Sequence, residues 1–232
     1  MNGNAIIQAA GKIKAMLRPI LFSELDLNQI HDVAFEDERV FVRANPKKGI
    51  PFAECVYKAL RGREGEPLSA QGFYTPRNKG LVSPAFSFGA QVAEVSVDEG
   101  TGLISVEKMY TAHDCGVAIN KMSVEGQLEG AIQMGLGYAL MEDLVMDDQG
   151  RTLNTTFLDY KMPSAQDMPP GESVEIETYE PEGPYGAKEA GEGLAIPTAP
   201  AISHAVYEAV GYRCMDTPIT PEKVLRALGK IK

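Results

Sequence analysis

A glutamate inside a glycine-rich segment is the first residue whose surroundings suggest chemistry. Glu192 lies in GPYGAKEAGEGLAIP, residues 183–197, with a glycine on either side and the apolar residues 194–196 after it. Partial dehydration disfavours the charged form of a carboxylate, and this makes a glutamate a usable general base near neutral pH. A solvated loop acid is the ordinary alternative, and the residues alone leave both open. Lys188 and Glu189 are weaker candidates for catalysis.

A second candidate is a helical segment that contains an unusual number of glycines. The sequence VEGQLEGAIQMGLG covers residues 124–137, and each glycine inside a helix costs about 1 kcal/mol relative to alanine. Gly126 and Gly130 are four residues apart, so they share one helix face, where another backbone or a flat ligand can come close. Tight helix packing is one explanation of these glycines, and a ligand-facing role for Gln127 is the other.

The cysteines and histidines lack the spacing of a metal site or a nucleophilic dyad. Cys55, Cys115 and Cys214 are far apart and form no Cys-x-x-Cys pair, so the patterns of zinc and iron–sulfur sites are missing. In AHDCG, residues 112–116, the histidine and the cysteine are too close in sequence for a catalytic dyad, and a structural turn is favoured. We expect no metal bound directly by side chains of this chain.

Hydrophobic periodicity predicts the elements that must position these residues. Helices are predicted over residues 4–22, 51–60, 124–144, 200–210 and 221–228, hairpins over 33–42 and 86–116, and a strand over 174–179. Pro19 is expected to bend or end the first helix. Residues 61–80 are predicted to be an exposed connection, 157–160 an extended piece and 181–193 a loop. Helices and strands without strict βαβ alternation indicate an α+β fold.

Composition excludes several function classes. The chain of 232 residues has 22 basic and 32 acidic side chains and a formal charge of −10. This acidic balance argues against nucleic-acid binding, which needs a basic face. No stretch approaches the roughly 20 apolar residues of a membrane span. The N-terminus lacks the basic and apolar regions of a secretory signal, so we expect a cytoplasmic protein.

Several segments resemble, in the same order, the C-terminal part of the molybdenum-binding (large) subunit of the xanthine dehydrogenase/aldehyde oxidase family of molybdenum hydroxylases. The strongest similarity lies in HDCGVAINKMSVEGQLEGAIQMGLGYAL, residues 113–140, and in GAKEAGEGLAIPTAPAISHAVYEAVG, residues 186–211. NGNAIIQAAGKIKAML (2–17), GFYTP (72–76), FSFGAQVAEVSVDEGTG (86–102), DYKMPSAQDMP (159–169) and PITPEKVLRAL (218–228) extend it over nearly the whole chain. The sequences of these segments most resemble those of bacterial members such as 4-hydroxybenzoyl-CoA reductase.

The resemblance implies roles for the candidate residues and a cofactor. Glu192 falls on the family's catalytic glutamate, which takes a proton from the Mo–OH group, and Gln127 falls on the glutamine that hydrogen-bonds the pterin. Gly126 and Gly191 then let the backbone approach a planar ligand. The implied cofactor is molybdenum–molybdopterin, with the cytosine dinucleotide as one form, shared with a partner chain. The implied fold is the C-terminal portion of a molybdopterin-binding domain.

Departures from the family indicate what other chains supply. The cysteine patterns for iron–sulfur clusters and the earlier glycine- and glutamine-rich cofactor loops of the family are not in this sequence. The resemblance therefore implies a chain carrying the N-terminal part of the molybdenum subunit, an iron–sulfur subunit and, in some forms, a flavin (FAD) subunit. Residues 1–85 are expected to be a helix, a hairpin and a connecting segment. Residues 86–232 are expected to be the molybdopterin-binding region, continuous with a preceding part.

Three explanations of such a chain stay open. It is a naturally split subunit, a piece of a longer chain, or a catalytically inactive relative that serves as a binding or assembly module. In the first two cases, the resemblance implies hydroxylation, or reductive dehydroxylation, of an aromatic, heterocyclic or aldehyde substrate. An exposed apolar surface would favour the first two cases, because a missing partner leaves an uncovered patch.

Overall fold

A computed structural model describes residues 2–28, 32–77 and 85–232 of the chain. The chain divides into two compact units, Met1–Pro84 and Ala85–Lys232. Both units combine helices with a three-stranded sheet, which agrees with the α+β class predicted from the sequence. Among the described residues, no helix has the length and apolar character needed to cross a membrane.

The first unit packs two helices against an antiparallel sheet. Its elements are α1 (Asn2–Glu24), β1 (Val33–Glu36), β2 (Arg39–Val42), β3 (Asn45–Pro51) and α2 (Phe52–Arg61), with the strands in the order β1-β2-β3. The hairpin predicted over residues 33–42 is confirmed. It turns at Asp37 and Glu38, whose φ angles of 49° and 57° are those of a type I′ turn. Leu17 and Leu21 of α1 lie in the core, fully buried.

Two features of this unit differ from the predictions. Pro19 does not end α1, which continues to Glu24. Strand β3 was not predicted, because its sequence NPKKGIP contains two prolines and no alternation; it is tolerated as an edge strand, where fewer backbone N–H groups are needed. Residues 66–76 contain neither helix nor strand, as predicted for the connection, and residues 78–80 of that prediction lie outside the described residues.

The second unit contains a mixed sheet with a helical crossover. Its strands are β4 (Phe88–Val97), β5 (Ile104–Asp114) and β6 (Gly171–Ile176), and its helices are α3 (Lys121–Leu140), α4 (Glu192–Ala195), α5 (Thr198–Val210) and α6 (Pro221–Ala227). Strands β4 and β5 form the predicted hairpin. Strand β6 then pairs parallel to β5, and α3 lies in the connection between these parallel strands. The sheet therefore places the end of β5 directly before the helix of the second candidate segment.

Other boundaries of the second unit correct the predictions. The extended piece expected over residues 157–160 is wrong, because the amides of Asp159 and Tyr160 both donate to the carbonyl of Thr156 and close a turn. The strand expected over 174–179 begins earlier and ends at Ile176. The loop expected over 181–193 contains a short 3-10 helix, Pro184–Gly186, and the first residues of α4.

Candidate active site

Helix α4 packs on α3, and this contact brings the two candidate segments together. Leu194 of α4, 1% exposed, shares a hydrophobic core with Val124 and Leu128 of α3. Glu192 lies two residues before Leu194, and Gln127 precedes Leu128. The same core therefore fixes the backbone of both candidate residues.

An open pocket of about 250 Å³ lies between the first half of α3 and the segment that precedes Glu192. Gln127 lines it on the helix side, and Ala187, Lys188 and Ala190 line it on the other. Gln127 is exposed, and its amide has no hydrogen-bond partner in the described part of the chain. A free amide offers both a donor and an acceptor to a polar ligand.

The glycines of α3 fall into two groups. A β-carbon added at Gly126 or Gly130 would meet no atom of the described chain within 4 Å. Tight packing therefore does not explain these two glycines. It does explain Gly135, where a β-carbon would collide with the side chain of Thr198 on α5. The face of α3 that carries Gly126 is open beside Gln127.

Glu192 is exposed, which corrects the expectation of a dehydrated pocket within this chain. It is the first residue of α4, and within residues 2–28, 32–77 and 85–232 its carboxylate makes no hydrogen bond or ion pair. The flanking residues Gly191 and Gly193 have no side chains to cover it, and Leu194 is turned into the core. Any dehydration of Glu192 must therefore come from atoms outside the described residues.

A buried ion pair anchors the segment that precedes Glu192. Lys188 Nζ lies 2.6 Å from Asp114 Oδ2 at the end of β5, and both side chains are 7% exposed. Thr178 Oγ1 donates to the same oxygen at 2.7 Å, and the Gly116 N–H donates to Oδ1 at 3.0 Å. Burial alone raises the pKa of Asp114, but the hydrogen bonds from Lys188, Thr178 and Gly116 outweigh it and lower that pKa to about 2. The carboxylate is therefore ionised at neutral pH.

Backbone contacts hold the same segment against the turn after β5. The Lys188 N–H donates to the Cys115 carbonyl at 2.7 Å, and Gly116 forms an isolated antiparallel bridge with Ala187. Gly116 has a φ of 69°, and a β-carbon there would collide with the carbonyl of Gly186. Only glycine combines this left-handed conformation with so close a backbone approach.

Glu189 is also tied into the structure. Its carboxylate accepts hydrogen bonds from Ser87 Oγ at 2.5 Å and from the Gly191 N–H at 2.8 Å. Burial raises the pKa of Glu189, but the hydrogen bonds from Ser87, Gly191 and Gly193 and an electrostatic contribution from His113 outweigh it, so the pKa is lowered. Lys188 and Glu189, the weaker candidates for catalysis, are thus anchors of the segment.

The AHDCG motif is structural in this chain. Cys115 is 2% exposed, and burial raises the pKa of its thiol, which disfavours the nucleophilic thiolate. His113 is buried, with Nε2 3.4 Å from the Glu189 carbonyl oxygen. Over the described ranges, no three side chains of His, Cys, Asp or Glu are grouped to hold a metal ion.

The sequence model of the molybdopterin cofactor-binding domain matches residues 1–169. The chain belongs to this molybdenum hydroxylase family. The nicotine 6-hydroxylase large subunit of Paenarthrobacter nicotinovorans is 41% identical over 97% of this chain and 28% of its own length. The carbon monoxide dehydrogenase large chain of Hydrogenophaga pseudoflava is 32% identical over the same shares, 97% and 28%. Quinoline 2-oxidoreductase from Pseudomonas putida 86 superposes with a TM-score of 0.76 and 30% identity, covering 97% of this chain and 29% of its own.

The comparisons confirm the family and the fold class predicted from the sequence. The chain spans about 28% of the length of these curated relatives, so it corresponds to one segment of a molybdopterin-binding oxidoreductase subunit. Gly126 and Gln127 lie within the residues matched by the family, whereas Gly191 and Glu192 lie beyond them.

Proposed function

We propose that the chain is a C-terminal segment or split subunit of a molybdopterin-dependent oxidoreductase. Its reaction is the hydroxylation, or reductive dehydroxylation, of an aromatic, heterocyclic or aldehyde substrate. The observation that carries this proposal is the place of Glu192, which makes no hydrogen bond or ion pair with the described residues, at the end of a segment anchored beside the pocket of Gln127. Two relatives are named for N-heteroaromatic compounds, nicotine and quinoline, which supports the heterocyclic class.

The residues at the pocket fit a planar, polar cofactor. The free amide of Gln127 can pair with a donor and an acceptor on the edge of a pterin. The absence of a β-carbon at Gly126 leaves its face of α3 flat and open, and Gly191 does the same for the backbone before Glu192. No side chain of this chain is assigned to the metal, since molybdopterin itself carries the molybdenum.

Glu192 is proposed to act as the general base. The molybdenum–molybdopterin cofactor, when bound, supplies the redox chemistry and the oxygen transfer. The Glu192 carboxylate accepts a proton, and because it has no partner in the described chain, no internal bond has to break first. The covering chain would dehydrate it and so improve it as a base near neutral pH.

Other chains are proposed to complete the site. A chain carrying the N-terminal part of the molybdenum subunit shares the cofactor, in its simple or cytosine dinucleotide form. An iron–sulfur subunit and, in some assemblies, a flavin subunit remove electrons, and the assembly is cytoplasmic. Large apolar side chains such as Met122 (75% exposed) and Phe157 (83% exposed) support a covering partner. Residues 86–232 are proposed as the cofactor-binding region, continuous with that preceding part.

A catalytically inactive relative that serves as a binding or assembly module is the second candidate function. The exposure of Glu192 favours it, since an unburied glutamate is an ordinary surface residue. The exposed apolar side chains favour the first proposal instead.

The test is a Glu192→Gln variant in the assembly recovered with the tagged full chain. Activity is assayed with N-heteroaromatic, purine and aldehyde substrates and an artificial electron acceptor. We expect kcat to fall by about 100-fold or more, since general-base catalysis contributes about 10²–10⁴, while molybdenum content stays the same. A Glu222→Gln variant, in the exposed first turn of α6, is the matched control. Unchanged kcat in Glu192→Gln would refute the role of this residue.

A further inference from the structure

Helix α4 begins without a side-chain cap of its own. The N-cap residue is Gly191, which has no side chain and makes no capping hydrogen bond. The Glu189 carboxylate provides an acceptor at this end of the helix, because it binds the Gly191 N–H at 2.8 Å. Gly191 immediately precedes Glu192, so this carboxylate holds the backbone directly before Glu192.

The Glu189 carboxylate has a fixed position of its own. Ser87 Oγ, in the residue that precedes β4, donates to it at 2.5 Å. The backbone of the preceding residue, Lys188, is held by the Cys115 carbonyl, and its side chain is held by Asp114. Glu189 is therefore fixed to the sheet at two places, the start of β4 and the end of β5, and α4 is connected to the sheet through it.

Gly193 leaves the space that this arrangement needs. A β-carbon at Gly193 would collide with Glu189 Oε1 and would lie 3.1 Å from Ser87 Oγ. The carboxylate thus occupies the volume that a side chain at residue 193 would fill. This explains why residue 193 is a glycine: Glu189 is hydrogen-bonded in that space, whereas Glu192 makes no hydrogen bond or ion pair within the described part of the chain.

We propose that Glu189 is a positioning residue for Glu192, an inference that rests on the proposed function of Glu192 as a base. With the Gly191 amide hydrogen-bonded to this carboxylate and Gly193 packed against it, the backbone is held on both sides of Glu192, and this sets the direction in which its side chain leaves α4. A base needs this, because small errors in the position of a reacting group cost large factors in rate.

The first experiment reads the hydrogen bonds in the full chain without any cofactor. In a sample labelled with ¹⁵N-glycine, the amide signals of Gly191 and Gly193 are followed from neutral to acidic pH. We expect the Gly191 signal, whose amide donates to Glu189, to titrate with a midpoint below the ordinary glutamate pKa, because the pKa of Glu189 is lowered. Glu189→Gln should abolish this titration of the amide signal, and Glu222→Gln should retain it. His113, the other titratable group facing Glu189, remains in both variants.

The outcomes of this experiment decide the structural part of the inference. A Gly191 amide signal that titrates unchanged in Glu189→Gln would show that another group holds this amide and would overturn the inference. If Glu189→Gln does not fold, Ser87→Ala replaces it, because loss of one hydrogen bond to the carboxylate should move the midpoint upward. A midpoint that stays in place in Ser87→Ala would also contradict the inference.

The second experiment measures how Glu189 affects catalysis in the assembly recovered with the tagged full chain. We expect Glu189→Gln to lower kcat by about tenfold to 100-fold, as displacement of a reacting group does, with KM and molybdenum content unchanged. A wild-type kcat in Glu189→Gln beside an inactive Glu192→Gln would refute the positioning role and leave the proposed function intact. If Glu192→Gln itself keeps wild-type kcat, the proposed function is wrong, the positioning role fails with it, and the amide titration still decides whether Glu189 holds the backbone.

Discussion

Three charged residues in one short segment have three different environments. Lys188 is buried in an ion pair with Asp114, Glu189 accepts hydrogen bonds from a hydroxyl and a backbone amide, and Glu192 has no partner in the described chain. A buried ion pair gains little stability over an apolar pair of the same volume, but losing one member leaves an uncompensated charge. Asp114 and Lys188 therefore determine the position of the segment that precedes Glu192.

Asp114→Asn tests this anchor through stability. The variant leaves the Lys188 ammonium buried without a counter-charge, so we expect the free energy of unfolding to fall by about 3 kcal/mol. Urea unfolding at pH 7 followed by circular dichroism measures it. The matched control is Asp148→Asn, at an exposed residue, which should stay within about 0.5 kcal/mol of wild type. Equal stability of Asp114→Asn and wild type would show that the ion pair does not anchor the segment.

The same carboxylate predicts a dependence on pH. The pKa of Asp114 is about 2 in the folded chain, below its ordinary value of 3.8. A lowered folded-state pKa contributes stability above the unfolded value that is lost as the pH falls through the folded one. The gap in unfolding free energy between wild type and Asp114→Asn should therefore shrink from about pH 4 to about pH 2. A difference in unfolding free energy that stays constant over this range would contradict a lowered pKa of Asp114 in the folded chain.

At the scale of elements, local patterns predicted the secondary structure well and the pairing of distant segments poorly. The hairpin of β4 and β5 was predicted because its alternation and its turn, Asp98–Gly102, lie side by side in the sequence. The parallel pairing of β6 with β5 could not be predicted, since it joins strands separated by α3. The same is true of the candidate site. Glu192 and Gln127 were identified from local sequence, but the contact between Lys188 and Asp114 was not predicted, because the two residues are 74 positions apart.

Two substitutions in α3 test the division of its glycines. Gly135→Ala should lower the free energy of unfolding by about 1–3 kcal/mol, because the added carbon collides with Thr198. Gly126→Ala meets open space, so the better helix propensity of alanine should raise the stability by about 0.5–1 kcal/mol. Thermal or urea unfolding of both variants measures this difference. A destabilised Gly126→Ala would show that this face of α3 is packed in the chain itself.

At the scale of the whole molecule, the chain presents one side of a cofactor site. The pocket beside Gln127 is open. The chain itself spans about 28% of the length of its relatives. Binding must offset the loss of translational and side-chain freedom, and contacts from one side do not. We expect the isolated chain to retain much less than one molybdenum per chain after gel filtration, as measured by inductively coupled plasma mass spectrometry. Stoichiometric molybdenum on the isolated chain would overturn this expectation.

Participation of the chain in a molybdenum hydroxylase is tested by recovering the tagged chain from its host and analysing the accompanying proteins and metals. We expect a larger partner chain, with molybdenum and iron, because the proposed function has other subunits complete the site and remove its electrons. A chain that is recovered alone and without metal would contradict the claim that it takes part in a molybdenum hydroxylase.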